Sequence, residues 1–271
     1  MRNLMRSKQE LIIVLTFMAL LFFIYIWVYL VSPFAGLGND LMLNLIYLVF
    51  SVYPVILLRR ILGFYGTHEL PRRIWMDFFI GFGLFFIGDV IWTTWNMSAG
   101  EVPSPSVADM FYAAAYIFLA AGLLRQYHLI YSLGSLRLSL YNALIWLVAI
   151  LLAAGIVFLR TNAFRMDDFI EYLYPALDLL LALVAFFLMR TFQQGSLARP
   201  LWGFLVMFAA DLIYAVLVQS GTYSFMVEQA DYGRLLSDIA YNLSYIAFAL
   251  GFWGHFSMLK FGAEQDEYSV K

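Results

Sequence analysis

Long apolar blocks separated by short polar punctuation organise this chain from end to end. A window of about 19 residues finds eight such blocks, each long enough to cross a hydrocarbon core of about 30 Å as a helix. They lie near residues 11–32, 38–58, 74–97, 107–125, 139–159, 170–190, 200–220 and 235–259. A backbone inside lipid must satisfy its own N–H and C=O groups, so blocks of this length predict α-helices. The expected fold is all-α, a polytopic bundle of about eight transmembrane helices, with residues 1–271 forming one integral membrane domain.

Composition agrees with this solvent. The 271 residues are 63% hydrophobic and 13% charged, far from the balance of a soluble domain. A net charge of -2, with no basic run able to track phosphates, excludes a nucleic-acid partner. The partner implied is the lipid bilayer. The chain has no cysteine, which removes disulfides, thiolate metal sites and thiol nucleophiles together.

Basic residues set the expected topology. Arg2, Arg6 and Lys8 precede a first block too long for a signal-peptide core and without a small-residue cleavage site, so that block is expected to be a retained anchor. Alternating eight spans from a cytoplasmic N-terminus puts thirteen of the sixteen basic residues inside and only Arg160, Arg165 and Arg234 outside. The expectation is a multi-pass protein of the cell's inner (plasma) membrane with both termini cytoplasmic.

The blocks also repeat. "GFGLFFIGDVIW" at 81–92 aligns without gaps on "GFLVMFAADLIY" at 203–214, pairing Asp89 with Asp211 and Trp92 with Tyr214. "ADMFYAAAYIFLAAG" at 108–122 aligns on "SDIAYNLSYIAFALG" at 237–251, pairing Asp109 with Asp238, Tyr112 with Tyr241 and Tyr116 with Tyr245. The third and fourth spans are thus echoed by the seventh and eighth; the first two match the fifth and sixth too weakly to align. Two parallel four-helix repeats are expected, one over about 11–130 and the other over about 139–262, with a short tail at 263–271. An even number of spans per repeat places the relating axis along the membrane normal.

"GDVIW", "VPSPSVADMFYAAAYIFLAAGLLR" and "YPALDLLLALVAFFLMR" resemble the multi-span membrane region that precedes GGDEF/EAL cyclic-di-GMP enzymes and sensor histidine kinases in bacteria. The most specific part is the proline-serine hairpin followed by Ala108, Asp109, Tyr112 and Tyr116. The resemblance implies a sensory or regulatory membrane unit. Only about ten residues follow the last span, so the expected unit lacks its own output domain and works through a partner protein in the membrane or cytoplasm.

Candidate chemistry lies with acids in apolar blocks. A carboxylate at bilayer depth costs several kcal/mol unless neutralised or paired, so Asp89, Asp178 and Asp211 should face the bundle interior or a wet cavity. No lysine or arginine falls at matching depth in the sequence count. Protonation, hydroxyl and amide donors, or a bound cation must then stabilise them. Asp178 and Asp89 are expected about 12 Å from the outer end of their helices, and Asp211 nearer the centre. Asp109 and Asp238 fall where spans begin, so they are expected to cap helices or form a pocket rim. Helical spacing puts aromatic rings beside each acid: Trp92, Tyr112, Tyr214 and Tyr241 complete a candidate ligand- or cation-binding set. Against this stands a plainer reading, in which the acids pin helix register and the tyrosines belong to the interfacial belt.

Other signals add little. Pro103 and Pro105 stiffen a hairpin, and Pro175 reads as a first-turn proline. His68, His128 and His255 fall on the side opposite the acids without a paired-histidine motif, which disfavours a zinc hydrolase. Lys260 sits at the end of its span, which disfavours a retinal Schiff base. The sequence identifies neither a cofactor nor a metal, and a cation at the acids stays open. The functional expectation is a non-enzymatic sensor-type or accessory module with an acid- and aromatic-lined outer-leaflet pocket. The alternatives are a structural subunit of a larger complex and a proton or cation transporter, the latter disfavoured by the apolar run "GFLVMFAA".

Overall fold

The computed structural model describes residues 2–34, 36–99, 102–103, 105–130, 144, 147–148, 166–192, 198–223 and 231–269. These contain seven long helices: α1 (Arg2–Val31), α2 (Leu37–Leu62), α3 (Leu70–Ala99), α4 (Val107–Ile130), α5 (Met166–Phe192), α6 (Leu201–Gln219) and α7 (Tyr232–Ser269). Each contains a stretch long and apolar enough to cross a membrane. The span expected at 139–159 lies outside the described residues except for 144 and 147–148. The helices overrun the apolar blocks because polar ends stay helical beyond the hydrocarbon; α7 continues to Ser269 where a tail was expected from 263.

Chain breaks have local causes. The α1–α2 connection carries Pro33 between two positive-φ residues, Ser32 (φ 46°) and Gly36 (φ 51°), which no helix tolerates. Arg72 Nη1 donates to the carbonyls of Leu62 (3.0 Å) and Tyr65 (2.7 Å), using the start of α3 to satisfy the end of α2. Ahead of α4, the Ser106 backbone N–H and Oγ both donate to Asp109 Oδ2, a capping-box arrangement with the acid at the third helical position. Asp231 starts α7: its Oδ1 accepts the Gly233 N–H at 2.8 Å, and its carbonyl accepts the Tyr29 hydroxyl at 2.8 Å.

Among the described helices, six close a ring in the order α2, α3, α4, α5, α6, α7 and back to α2, with α1 packed outside between α2 and α7. The outer face of α1 exposes Ile12, Ile13, Phe17, Phe23 and Trp27, as expected of a lipid-facing helix. Exchanging α2 with α5, α3 with α6 and α4 with α7 maps the ring onto itself. Residue contacts follow the same exchange. A Cβ added at Gly81 would lie 2.7 Å from Leu119, and one at Gly203 would lie 2.3 Å from Phe248, the residue equivalent to Leu119. Both hairpins therefore use glycine to let two helices approach. Phe82 and its equivalent Phe204 touch at the ring's centre, their centroids 6.4 Å apart. Seven residues further along each helix, Asp89 and Asp211 line one cavity. Thus α3 and α6 run in the same direction on either side of the centre.

Half of the interior is filled by aromatic packing. Phe82, Phe204, Phe248 and Phe252 interlock at centroid distances of 4.6 Å (Phe82–Phe248), 4.8 Å (Phe204–Phe248) and 5.3 Å (Phe82–Phe252), mostly edge to face. Beyond this layer Trp75 stacks on His255 at 4.4 Å, and the His255 Nε2 meets the Tyr65 hydroxyl at 3.1 Å. Asp77 pairs with Arg125, and Lys260 with Glu10 at 2.7 Å, closing that end with ion pairs.

Candidate functional site

The other half of the ring is open. A cavity of about 240 Å³ lies between the phenylalanine layer and the end of the bundle where α3 turns into α4. All seven described helices line it. Asp89, Asp211, Trp92, Tyr112, Tyr214 and Tyr241 are in the wall, and Asp109 and Asp238 are there as well. Asp178 is not in the wall; it stands behind Asp211, 2% exposed.

Asp89 is held by four hydroxyls. Tyr47 and Tyr112 each donate to Oδ1 at 3.0 Å, Tyr245 donates to Oδ2 at 2.7 Å, and Ser51 donates to the same oxygen. Four donors match the lone-pair capacity of a carboxylate, so its charge is satisfied without a base. The donors come from α2, α4 and α7 while the acid is on α3, so this one side chain ties four helices together.

Asp211 is placed by symmetry but furnished differently. Tyr241 donates to its Oδ1, the same bond that Tyr112 makes to Asp89. Tyr116 comes within hydrogen-bonding reach of both Asp211 and Asp178, where its equivalent Tyr245 donates to Asp89. The fourth direction differs. On α2, Tyr47 and Ser51 stand four residues apart; on α5, at the exchanged place in the ring, Tyr174 and Asp178 have the same spacing. Where Ser51 offers a hydroxyl to Asp89, Asp178 brings a second carboxyl within hydrogen-bonding reach of Asp211. Its Oδ2 is buried with no hydrogen-bond partner. The two acids share one level; Asp211 is not the deeper.

The rim is closed by the remaining acids. Asp109 takes Tyr174 on Oδ1 and the Ser106 cap on Oδ2, so it is both a helix cap and part of the wall. Asp238 does not cap α7: the helix begins at Tyr232, six residues earlier, and Asp231 caps it. Asp238 instead accepts the Tyr25 hydroxyl at 2.8 Å and faces Arg234 Nε at 3.7 Å. The expectation of a cavity without a basic group is overturned here, because Arg234, one helical turn before Asp238, lines the wall and is 7% exposed. Beside them Tyr223 follows α6, where burial, reinforced by the Asp238 charge, pushes its hydroxyl well above the ordinary tyrosine range and keeps it neutral.

Two further corrections concern local spacing. Trp92 and Tyr214 share a helical face with Asp89 and Asp211, yet the hydroxyls that bind the acids come from neighbouring helices. Pro175 lies inside α5, which starts at Met166, and forms part of the cavity wall. Tyr25, Tyr47, Ser51, Tyr174 and Arg234 were not among the expected site residues. Nothing in the spacing of α1 or α2 marks Tyr25, Tyr47 or Ser51, whereas Tyr174 could have been found from its four-residue spacing to Asp178. Comparison with protein-family models, with curated proteins and with solved structures yields no match.

Proposed function

We propose that this chain is a non-enzymatic, sensor-type membrane module whose cavity binds a small ligand or cation and passes its occupancy to a partner protein. The observation that carries this reading is the asymmetry of the interior. One half is filled by interlocked phenylalanine rings, while the other keeps a cavity of about 240 Å³ walled by four carboxylates and nine tyrosines. A bundle whose acids served only as pins would fill this space too.

Helix α7 supports transmission. Its first turns carry Arg234, Asp238, Tyr241 and Tyr245 in the cavity wall, and the same helix runs unbroken to Ser269, past an apolar span that ends at Gly262. A shift in those turns reaches the far end along one rigid element. In this reading the cavity opens outward from a bacterial inner membrane, as the positive-inside distribution implies, and the similarity to membrane regions of cyclic-di-GMP enzymes and histidine kinases fits a sensory role. A transport reading is disfavoured, because among the described residues interlocked phenylalanine rings stand between the cavity and the opposite end.

The test is the melting temperature of the purified protein across pH and a panel of small cations and polar metabolites, with Asp211→Asn beside the wild type. The reading requires a condition that shifts the wild type and leaves the variant unmoved. If both proteins track each other through the whole panel, the acids are structural.

A further inference from the structure

The two halves of the ring pose the same problem and solve it differently. In one, Ser51 completes a set of four donors around Asp89. In the other, the equivalent position on α5 is Asp178, an acceptor set against the acceptor Asp211. Tyr241 supplies a hydroxyl to Asp211, the Tyr116 hydroxyl is shared between Asp211 and Asp178, and Asp178 Oδ2 is left buried without a partner. Two carboxyls in contact need a proton or a cation between them, and hydrogen-bond donors for the oxygens left over.

The wall in front of the pair selects among cations. Hard metal ions take six or more oxygen ligands at short range. Among the described residues no three acid or histidine side chains converge in that way. What borders Asp211 instead is ring surface: Tyr214 and Tyr241 lie 6.4 Å apart at a steep angle, and Tyr116 stacks on Tyr174 at 6.1 Å. Aromatic faces attract an organic cation and accommodate its apolar body.

We infer that the cavity takes an organic ammonium, seated on Asp211 in front of Asp178, whose N–H groups supply the donors that Ser51 supplies to Asp89 in the other half. This rests on the cavity reading above and names its ligand class. A proton shared by the two acids holds the place when the cavity is empty and is released to solvent when the ammonium takes it.

The symmetry also supplies the test. Asp178→Ser copies into the second half the donor that the first half already uses, so the fold is kept or strengthened while the second carboxyl is removed. Binding is followed by thermal shift and calorimetry at neutral pH with 2-phenylethylamine, its neutral isostere 2-phenylethanol, and 3-phenylpropionate. The expected result is that only the amine binds the wild type, and that Asp178→Ser, melting no lower than wild type, binds it at least about tenfold more weakly. Asp211→Asn should lose it as well. Equal amine binding by wild type and Asp178→Ser overturns the inference. So does binding of the alcohol or the carboxylate without the amine, or of no probe at all; the cavity reading itself falls only with the cation and metabolite panel above.

Discussion

Tyr112 donates its hydroxyl to Asp89 at 3.0 Å across the α3–α4 hairpin. The bond is made again between Tyr241 and Asp211 across α6–α7, so the sequence repeat is a repeat of hydrogen bonding as well as of apolar pattern. A buried acid needs a donor on a neighbouring helix, and the tyrosine three residues after Asp109 or Asp238 reaches it. The pairing fixes how each hairpin is rotated about its own axes.

Removing one hydroxyl from the Asp89 shell should cost little, and altering the acid should cost more. Tyr112→Phe deletes one of four donors and is expected to lower stability by about 1 kcal/mol. Asp89→Asn keeps the shape but turns two acceptor sites into donors facing Ser51 and three tyrosines, with an expected loss of about 2–3 kcal/mol. Equilibrium unfolding in mixed detergent micelles measures both. Equal losses would mean that the four donors do not act as one shell.

The close approach within the second hairpin predicts an overpacking effect. A Cβ at Gly203 would fall 2.3 Å from the Phe248 ring, which cannot retreat because Phe82 and Phe204 flank it at 4.6 and 4.8 Å. Gly203→Ala should therefore destabilise by about 1–3 kcal/mol. At Gly83 nothing lies within 4 Å, and Gly83→Ala should be neutral or stabilising by up to about 1 kcal/mol. The two melting temperatures, compared with wild type, decide it.

Topology has a direct readout because the chain lacks cysteine. Single cysteines at Pro103, beside the cavity mouth, and at His68, between α2 and α3, lie at opposite ends of the bundle. A membrane-impermeant maleimide applied to intact cells should label Pro103→Cys and spare His68→Cys. The reverse pattern would put the cavity on the cytoplasmic face.

How much of this was legible beforehand follows from the range of each interaction. Helices are written locally: an apolar block such as 38–58 becomes α2 at Leu37–Leu62, since a helix is the structure in which one segment satisfies its own backbone in lipid. The acids were legible for the same reason, as Asp89 and Asp211 stand out in apolar runs at aligned positions. Their partners were not. Helical spacing reports which residues share a face of one helix, so it associated Trp92 with Asp89; the donors Tyr47, Ser51 and Tyr245 arrive from helices whose rotation only packing decides. Arg234 escaped because the apolar window began at 235, leaving the first turn of α7 unseen. The exchange of α2 with α5 was invisible for a related reason. Beyond one tyrosine and the residue four places on, the two helices share too little sequence to align.

That exchange permits a final prediction in the first half of the ring. Ser51→Asp would set an added carboxylate against Asp89, reproducing there the contact that Asp178 makes with Asp211, but buried among hydroxyls already committed to Asp89. Ser51 is 1% exposed, so water cannot relieve the repulsion. The variant should lose about 3 kcal/mol or more of stability, the cost of a buried charge without a partner. Adding Asp89→Asn to it returns one donor and one negative charge to the site, and should recover most of that loss. The double variant should therefore be more stable than Ser51→Asp alone, although Asp89→Asn destabilises the wild type. Unfolding of the four proteins in a double-mutant cycle measures the coupling. If Asp89→Asn instead adds its own cost to that of Ser51→Asp, the two positions do not face each other, and the correspondence of Ser51 with Asp178 is withdrawn.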